Sequence, residues 1–275
     1  MLLAIDIGNT NIVLGLWDGG RWRLQWRLST VRERTADEYG LDVRGLLREC
    51  KVKKRQVGQV VISSVVPKLT AVFAEVGRRY LGQEALVVNH RTNMGIRVET
   101  DFPDQVGADR LVNATAAYHR FGGACIVVDM GTATKYDVVN RDGAFLGGII
   151  SPGLQITADA LFARAAKLSQ VEFVAPPGVI GRNTIHALQA GLIYGYASQI
   201  DGLIPRLQAE MCALDGELTA DQIHIIGTGG LIGLIAPHTR TITTTDPWLT
   251  LSGLQVIAAR GRGEGEQDSK GGETA

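Results

Sequence analysis

Asp6 is the first side chain in this 275-residue sequence that stands where chemistry could be done. It closes the apolar run Leu2-Leu3-Ala4-Ile5 and is followed by Ile7-Gly8-Asn9-Thr10-Asn11 and a second apolar run, Ile12 to Leu16. The first run is too short for a helix and rich in branched residues. It reads as a buried strand, a tight turn and a strand returning beside it. Gly8 lets backbone amides approach a ligand closely, and Asn9 and Thr10 add short polar groups. A carboxylate at that point suits a metal ion or its water. In isolation, an ordinary hairpin whose Asp and Asn serve the turn accounts for the same residues.

A second copy changes the reading. Ala124-Cys125-Ile126-Val127-Val128-Asp129-Met130-Gly131-Thr132-Ala133-Thr134 repeats the pattern of apolar strand, Asp, one residue, Gly and small hydroxyl residues. Tyr136 to Val139 then alternates towards Asn140-Arg141-Asp142-Gly143, a second hairpin signal. The two acids lie 123 positions apart (129 minus 6), near half the chain. An internal duplication with one acid per strand-turn predicts two similar lobes facing a shared cleft. Carboxylates brought together there would repel unless a cation lay between them. That combination points to a metal-assisted reaction on a phosphate.

Further candidates follow. Thr100-Asp101-Phe102-Pro103-Asp104-Gln105-Val106-Gly107-Ala108-Asp109-Arg110 is a loop opening onto a helix from about Arg110 to Tyr118. Asp109 there is either a cap or a base beside an anion-holding arginine. Gly147-Gly148 and Pro152-Gly153 bracket a strand and allow close backbone approach. Thr184 reads as the N-cap of a long apolar-periodic segment, Ile185 to Leu207, in which Gly191 and Gly195 would permit close helix packing. Ile223 to Leu231 is a strand entering a Gly-rich turn, a plausible nucleotide cradle without the dinucleotide fingerprint or a Walker lysine. The five histidines lack the spacing of a helical metal pair.

The remaining elements must hold these residues in place. Arg21 to Leu28 alternates as a strand with one covered face. Thr35-Ala36-Asp37-Glu38 opens a helix through Leu47. Val60 to Pro67 is a buried strand ending in a Ser-rich loop, Leu69 to Leu81 a helix, Ala85 to Val88 a strand and Leu154 to Ala166 a helix. Leu249 to Ala259 forms a last ordered segment, and from Gly261 the chain reads as a disordered tail.

Composition sets the bounds. At 45% apolar and 20% charged the chain can bury a large core. Lys+Arg and Asp+Glu both number 28, which argues against nucleic acid or an anionic membrane as the main partner. Lys51 to Arg55 reads as a solvated loop. Three scattered cysteines fit a reducing compartment, and no leader or spanning segment is evident, so a cytoplasmic location is expected.

Six fragments now carry a resemblance: Asp6-Ile7-Gly8-Asn9-Thr10, Ser63-Ser64-Val65-Val66-Pro67, Gly107-Ala108-Asp109-Arg110, Asp129 to Thr134, Gly147-Gly148 with Pro152-Gly153, and Ile180-Gly181-Arg182-Asn183-Thr184. In order and spacing, over about residues 2 to 258, they resemble the motif series of type III pantothenate kinases. The resemblance implies an α/β fold of two duplicated actin-like (ribonuclease H-like) lobes with a nucleotide cleft between them. The lobes would span 1–117 and 118–260, with 261–275 as the tail. It also implies a homodimer and ATP-dependent phosphorylation of pantothenate, the first step of coenzyme A synthesis.

By the same resemblance, Asp6, Ile7, Gly8, Asn9, Thr10, Asn11, Ile12 and Val13 would form the phosphate-binding turn, with Asp6 positioning Mg²⁺ through water. Gly107, Ala108, Asp109 and Arg110 would hold pantothenate. Asp109 would accept the hydroxyl proton, and Arg110 would steady substrate or phosphate. Asp129 would bind a monovalent cation (K⁺ or NH₄⁺), Thr132 would touch ATP, and Thr184 would contact pantothenate.

The pattern is broken in places. The second motif of the family usually ends in two threonines before the next Asp, whereas Lys135 follows Thr134 here. Thr100 stands where an aromatic substrate contact is common, and Ala165 and Ser169 replace a frequent Thr and Pro. Lys135 has two readings. Alternation along the strand is expected to point it to solvent. In the other reading its ammonium lies near Asp129 and does the work of the monovalent cation. Rivals to the kinase reading are another kinase or phosphatase on the same fold and a non-catalytic nucleotide-binding regulator. Against the last stand Asp6, Asp109 and Asp129, because a binding-only protein needs no base.

Overall fold

Short runs of branched residues bounded by turns build the molecule. A computed structural model describes residues 1–164 and 170–268. Two units emerge: Met1–His119 joined by the segment from Leu249, and Arg120–Trp248.

In the first unit β1 (Leu2–Ile7) is central. It pairs antiparallel with β2 (Asn11–Trp17) and parallel with β4 (Gln59–Ser64). β3 (Trp22–Ser29) lies outside β2 and β5 (Ala85–Val87) outside β4, giving the order β3-β2-β1-β4-β5. A strand with neighbours on both edges and cover on both faces must be apolar throughout, which is why Leu2 to Ile5 and Ile7 are all buried. Leu3, Ile5 and Ile7 share a core with Val43 and Leu47 of α1 (Ala36–Glu49) and Leu69 and Phe73 of α2 (Pro67–Val76). Thr35 and Glu38 form the capping box that starts α1. Past α2 the expected helix to Leu81 becomes a π-helical turn, Gly77–Leu81.

A two-residue strand, β6 (Arg97–Val98), precedes α3 (Ala108–Phe121). The last helix, α7 (Leu249–Asp268), packs on β1, β2 and β4, with Leu251 against Gly15. The sequence reading places 249–260 in the C-terminal lobe. Buried Leu251, Leu254 and Ile257 instead complete the first unit's core. Residues 261–268, expected to begin the tail, continue the helix instead. Helix propagation costs less than nucleation, and α7 runs on through Asp268; the expected tail residues 269–275 lie outside the described residues.

The second unit repeats this plan. β7 (Cys125–Met130) pairs antiparallel with β8 (Ala133–Val139), which pairs with β9 (Ala144–Pro152). On its other edge β7 runs parallel to β10 (His224–Thr228), followed by β11 (Thr244–Thr245). The order β9-β8-β7-β10-β11 matches β3-β2-β1-β4-β5 strand for strand and direction for direction. The duplication expected from the sequence is therefore real in the topology.

Among the described residues, three α-helices belong to this unit. α4 (Leu154–Arg164) ends the described part of a segment expected to reach Ala166; Ala165 and Ser169 lie outside the described residues. α5 (Thr184–Leu214) outlasts the expected end at Leu207, because its buried stripe of Ile193, Ala197, Ile200 and Ile204 continues to Met211. A Cβ at Gly191 or Gly195 would meet nothing within 4 Å, so neither glycine serves close packing. α6 (Ile232–Ile235) is a single turn.

Candidate active site

In the first unit the turn after Asp6 is tied down by its own backbone and by neighbouring residues. The Gly8 amide donates to the Asn11 carbonyl at 3.0 Å. Thr30 clamps the turn from β3's end: its hydroxyl donates to the Gly8 carbonyl at 2.7 Å and its amide to the Thr10 carbonyl at 3.0 Å. Arg32 donates to the Asn9 carboxamide oxygen at 3.0 Å. Ile12 is fully buried, Asn11 and Val13 are half-buried in β2, and Asn9 and Thr10 stay exposed. Asp6 lies beside Ser63 in the parallel ladder. Ser63 is fully buried and its Oγ has no hydrogen-bond partner among the described residues. A buried hydroxyl left in that state is costly unless a ligand or its water serves it.

Asp109 reaches the same neighbourhood through the backbone. The Val65 amide donates to the Ile7 carbonyl at 3.0 Å, and a Cβ on Gly107 would stand 3.6 Å from Val65 Cγ1. That Cβ would also lie only 2.6 Å from Asp109 Oδ1, so glycine at 107 leaves the carboxylate its position. The helix starts earlier than expected, at Ala108, so Asp109 sits inside the first turn instead of capping it. Its Oδ1 accepts from the Arg110 amide at 2.9 Å. Negative charge there is favoured by the helix N-terminus. Asp109 and Arg110 are both half-buried.

In the second unit Asp129 stands directly across from Lys135, and Lys135 Nζ meets Asp129 Oδ2 at 2.8 Å. The expectation that Lys135 points to solvent is overturned. Cross-strand partners project from the same face, and the three-residue connection between Met130 and Thr134 sets this register. Thr132 is exposed at that turn. A Cβ on Gly153 would fall 2.3 Å from the Thr132 carbonyl oxygen, so β9's end approaches the turn as closely as backbone allows. Thr184 does not cap α5; Asn183 does, its Oδ1 accepting from the His186 amide at 2.8 Å, and Thr184 begins the helix exposed.

Asp6, Gly8 to Val13 and Gly107 to Arg110 thus fall in one unit and Asp129, Thr132 and Thr184 in the other. Thr30 and Arg32 are site neighbours that the sequence reading missed, and Ser63 was quoted within a motif but given no role; only their buried or turn-bonded geometry singles them out. Among the described residues no three of His, Cys, Asp and Glu gather as a metal cluster.

Comparison with known proteins decides what this arrangement belongs to. A family model described as type III pantothenate kinase matches residues 2–206. The chain belongs to the type III pantothenate kinases. It is 46% identical over 260 residues to the type III pantothenate kinase of Moorella thermoacetica, covering 94% of this chain and 99% of that one. To the Geobacter sulfurreducens relative it is 45% identical, covering 95% and 100%. Among solved structures, component A of the (R)-2-hydroxyglutaryl-CoA dehydratase of Acidaminococcus fermentans aligns at TM-score 0.51 and 14% identity, covering 94% and 96%. A Sinorhizobium meliloti protein described as a 2-dehydro-3-deoxygalactonokinase aligns at TM-score 0.54 and 13% identity, again covering 94% and 96%. At such low identity these likenesses show the fold alone, an α/β fold with two sheets.

Like other type III pantothenate kinases it is an enzyme. It transfers a phosphoryl group from ATP to pantothenate in coenzyme A biosynthesis. No described helix is long and apolar enough to cross a membrane.

Proposed function

We propose that the two Asp-x-Gly turns and the start of α3 share out the work of this phosphoryl transfer. The observation that carries the proposal is the repetition of the same acid-bearing hairpin on two sheets that share one order of five strands. Phosphoryl transfer needs little covalent help from the protein; it needs positioning and charge neutralisation. Turns of small residues ending in a carboxylate suit that task.

The Asp6 turn, Gly8 to Val13, holds the ATP phosphates through backbone amides. Asp6 would hold Mg²⁺ through water, and the buried Ser63 hydroxyl beside it, unpartnered among the described residues, suits a hydrated ion. One or two carboxylates with waters and phosphates are the usual magnesium shell, so a cluster of three acids is not required. A magnesium ion held there would supply positive charge to neutralise the charge that develops during transfer. Thr132 contacts ATP. Gly107, Ala108, Arg110 and Thr184 hold pantothenate, and Asp109 takes the proton of its primary hydroxyl as that oxygen attacks the terminal phosphorus of ATP. The bond to ADP breaks, and the guanidinium of Arg110 steadies the transferring group.

The working form is a homodimer in the cytoplasm. Val179, Ile180 and Ile185, close to Thr184 in the chain, are 71%, 86% and 57% exposed, and exposed apolar side chains of this kind suit an interface between subunits. Light scattering on the purified protein tests this: a single-subunit mass at micromolar concentration would refute it. Three free cysteines suit a reducing compartment. The site assignments are tested by Asp6→Asn, which should raise the magnesium concentration needed for ATP binding. A titration matching the native protein's removes Asp6 from the metal site.

A further inference from the structure

The family resemblance gives Asp129 a monovalent cation, and the carboxylate already has one. Lys135 Nζ sits 2.8 Å from Asp129 Oδ2, and each side chain is only 13% exposed. The pair is built in by the sheet. Asp129 and Lys135 oppose each other across the β7–β8 ladder, flanked by Thr134 and Tyr136, both fully buried. Across the next ladder Lys135 faces Ile150, which offers no competing acid. An ammonium and a potassium ion are both compact single charges, and two of them cannot share one carboxylate without repulsion.

We propose that Lys135 is a tethered cation that takes the place of potassium or ammonium ion beside Asp129. The kinase therefore binds ATP and holds its second unit together without either ion. This rests on the assignment of Asp129 to the nucleotide side of the site. The tether matters thermodynamically. A group fixed on the neighbouring strand acts at an effective concentration that a dissolved ion must exceed to displace it. Partial burial also shields the pair from bulk salt.

Two readouts independent of turnover test the proposal: ATP affinity by calorimetry with magnesium present, and melting temperature without nucleotide. Both are measured in chloride salts of potassium, sodium and tetramethylammonium at equal ionic strength. The native protein should give dissociation constants within about twofold across the three salts and melting temperatures within about 1 °C. Lys135→Thr, which leaves Asp129 without its ammonium, should acquire a potassium requirement. Its ATP affinity should fall about tenfold on replacing potassium by tetramethylammonium, and its melting temperature should rise with potassium.

A native protein that binds ATP tenfold tighter in potassium overturns the proposal. So does a Lys135→Thr variant as indifferent to the salt as the native chain. If Lys135→Thr does not fold, Lys135→Met takes its place, and the native salt series decides in either case. Absence of pantothenate-dependent ADP release in every salt would strike the catalytic assignments instead, leaving the binding and melting comparison to judge Lys135.

Discussion

Among single residues, Asp109 is the one to which the proposed mechanism gives most of the chemistry. Replacing it by asparagine keeps shape and the hydrogen bond from the Arg110 amide but removes the proposed proton acceptor. Turnover should fall about a hundredfold or more while ATP affinity stays put; unchanged turnover would take Asp109 out of the reaction. Cys125 makes a contrasting prediction. Burial in β7 pushes its thiol up to about 12, so it stays a protonated, inert side chain. Alkylation of the native protein at neutral pH should modify Cys50 and Cys212, both half-buried, and spare Cys125 until the chain is unfolded. The acids and glycines were legible in the sequence because turn chemistry marks them. Lys135 was not. A residue's face in a hairpin depends on register, and register depends on connection length: three residues join Met130 to Thr134, but four join Ile7 to Ile12. One residue's difference puts Val13 across from Asp6 and Lys135 across from Asp129.

Elements show where local signals suffice and where packing overrides them. The Thr35/Glu38 box fixed the start of α1 as its sequence predicts, and Thr35→Ala should cost about 1 kcal/mol in a urea melt. Glu38 adds a pH signature. The Thr35 amide and hydroxyl hold its carboxyl below the ordinary 4.5, so its contribution is present above that value and lost as pH falls through the lower, native one. The melting temperature of Glu38→Gln should therefore decline less on acidification below 4.5 than that of the native protein; parallel declines would contradict the role. Gly153→Ala would drive a methyl into the Thr132 carbonyl and should cost roughly 1–3 kcal/mol, read by the same melt. Helix ends were less legible. Asn183 and Thr184 are both good caps by type, and only geometry chose Asn183. α5 reaches Leu214 because tertiary burial of Met211 extends it across Pro205.

At the scale of the molecule, two copies of one five-strand plan carry the acids, and the repeat was readable as soon as Asp129 echoed Asp6. The return of α7 to the first unit was not readable, since periodicity identifies a buried face without naming the sheet that buries it. The duplicated acid turns matter only if they serve transfer to pantothenate. The most direct measurement is ADP release from magnesium-ATP with and without pantothenate, using glycerol, acetate and a sugar as control acceptors. Release stimulated by pantothenate alone, and lost in Asp109→Asn, is the expected result. Release that pantothenate does not change, or that a sugar drives equally well, would contradict it.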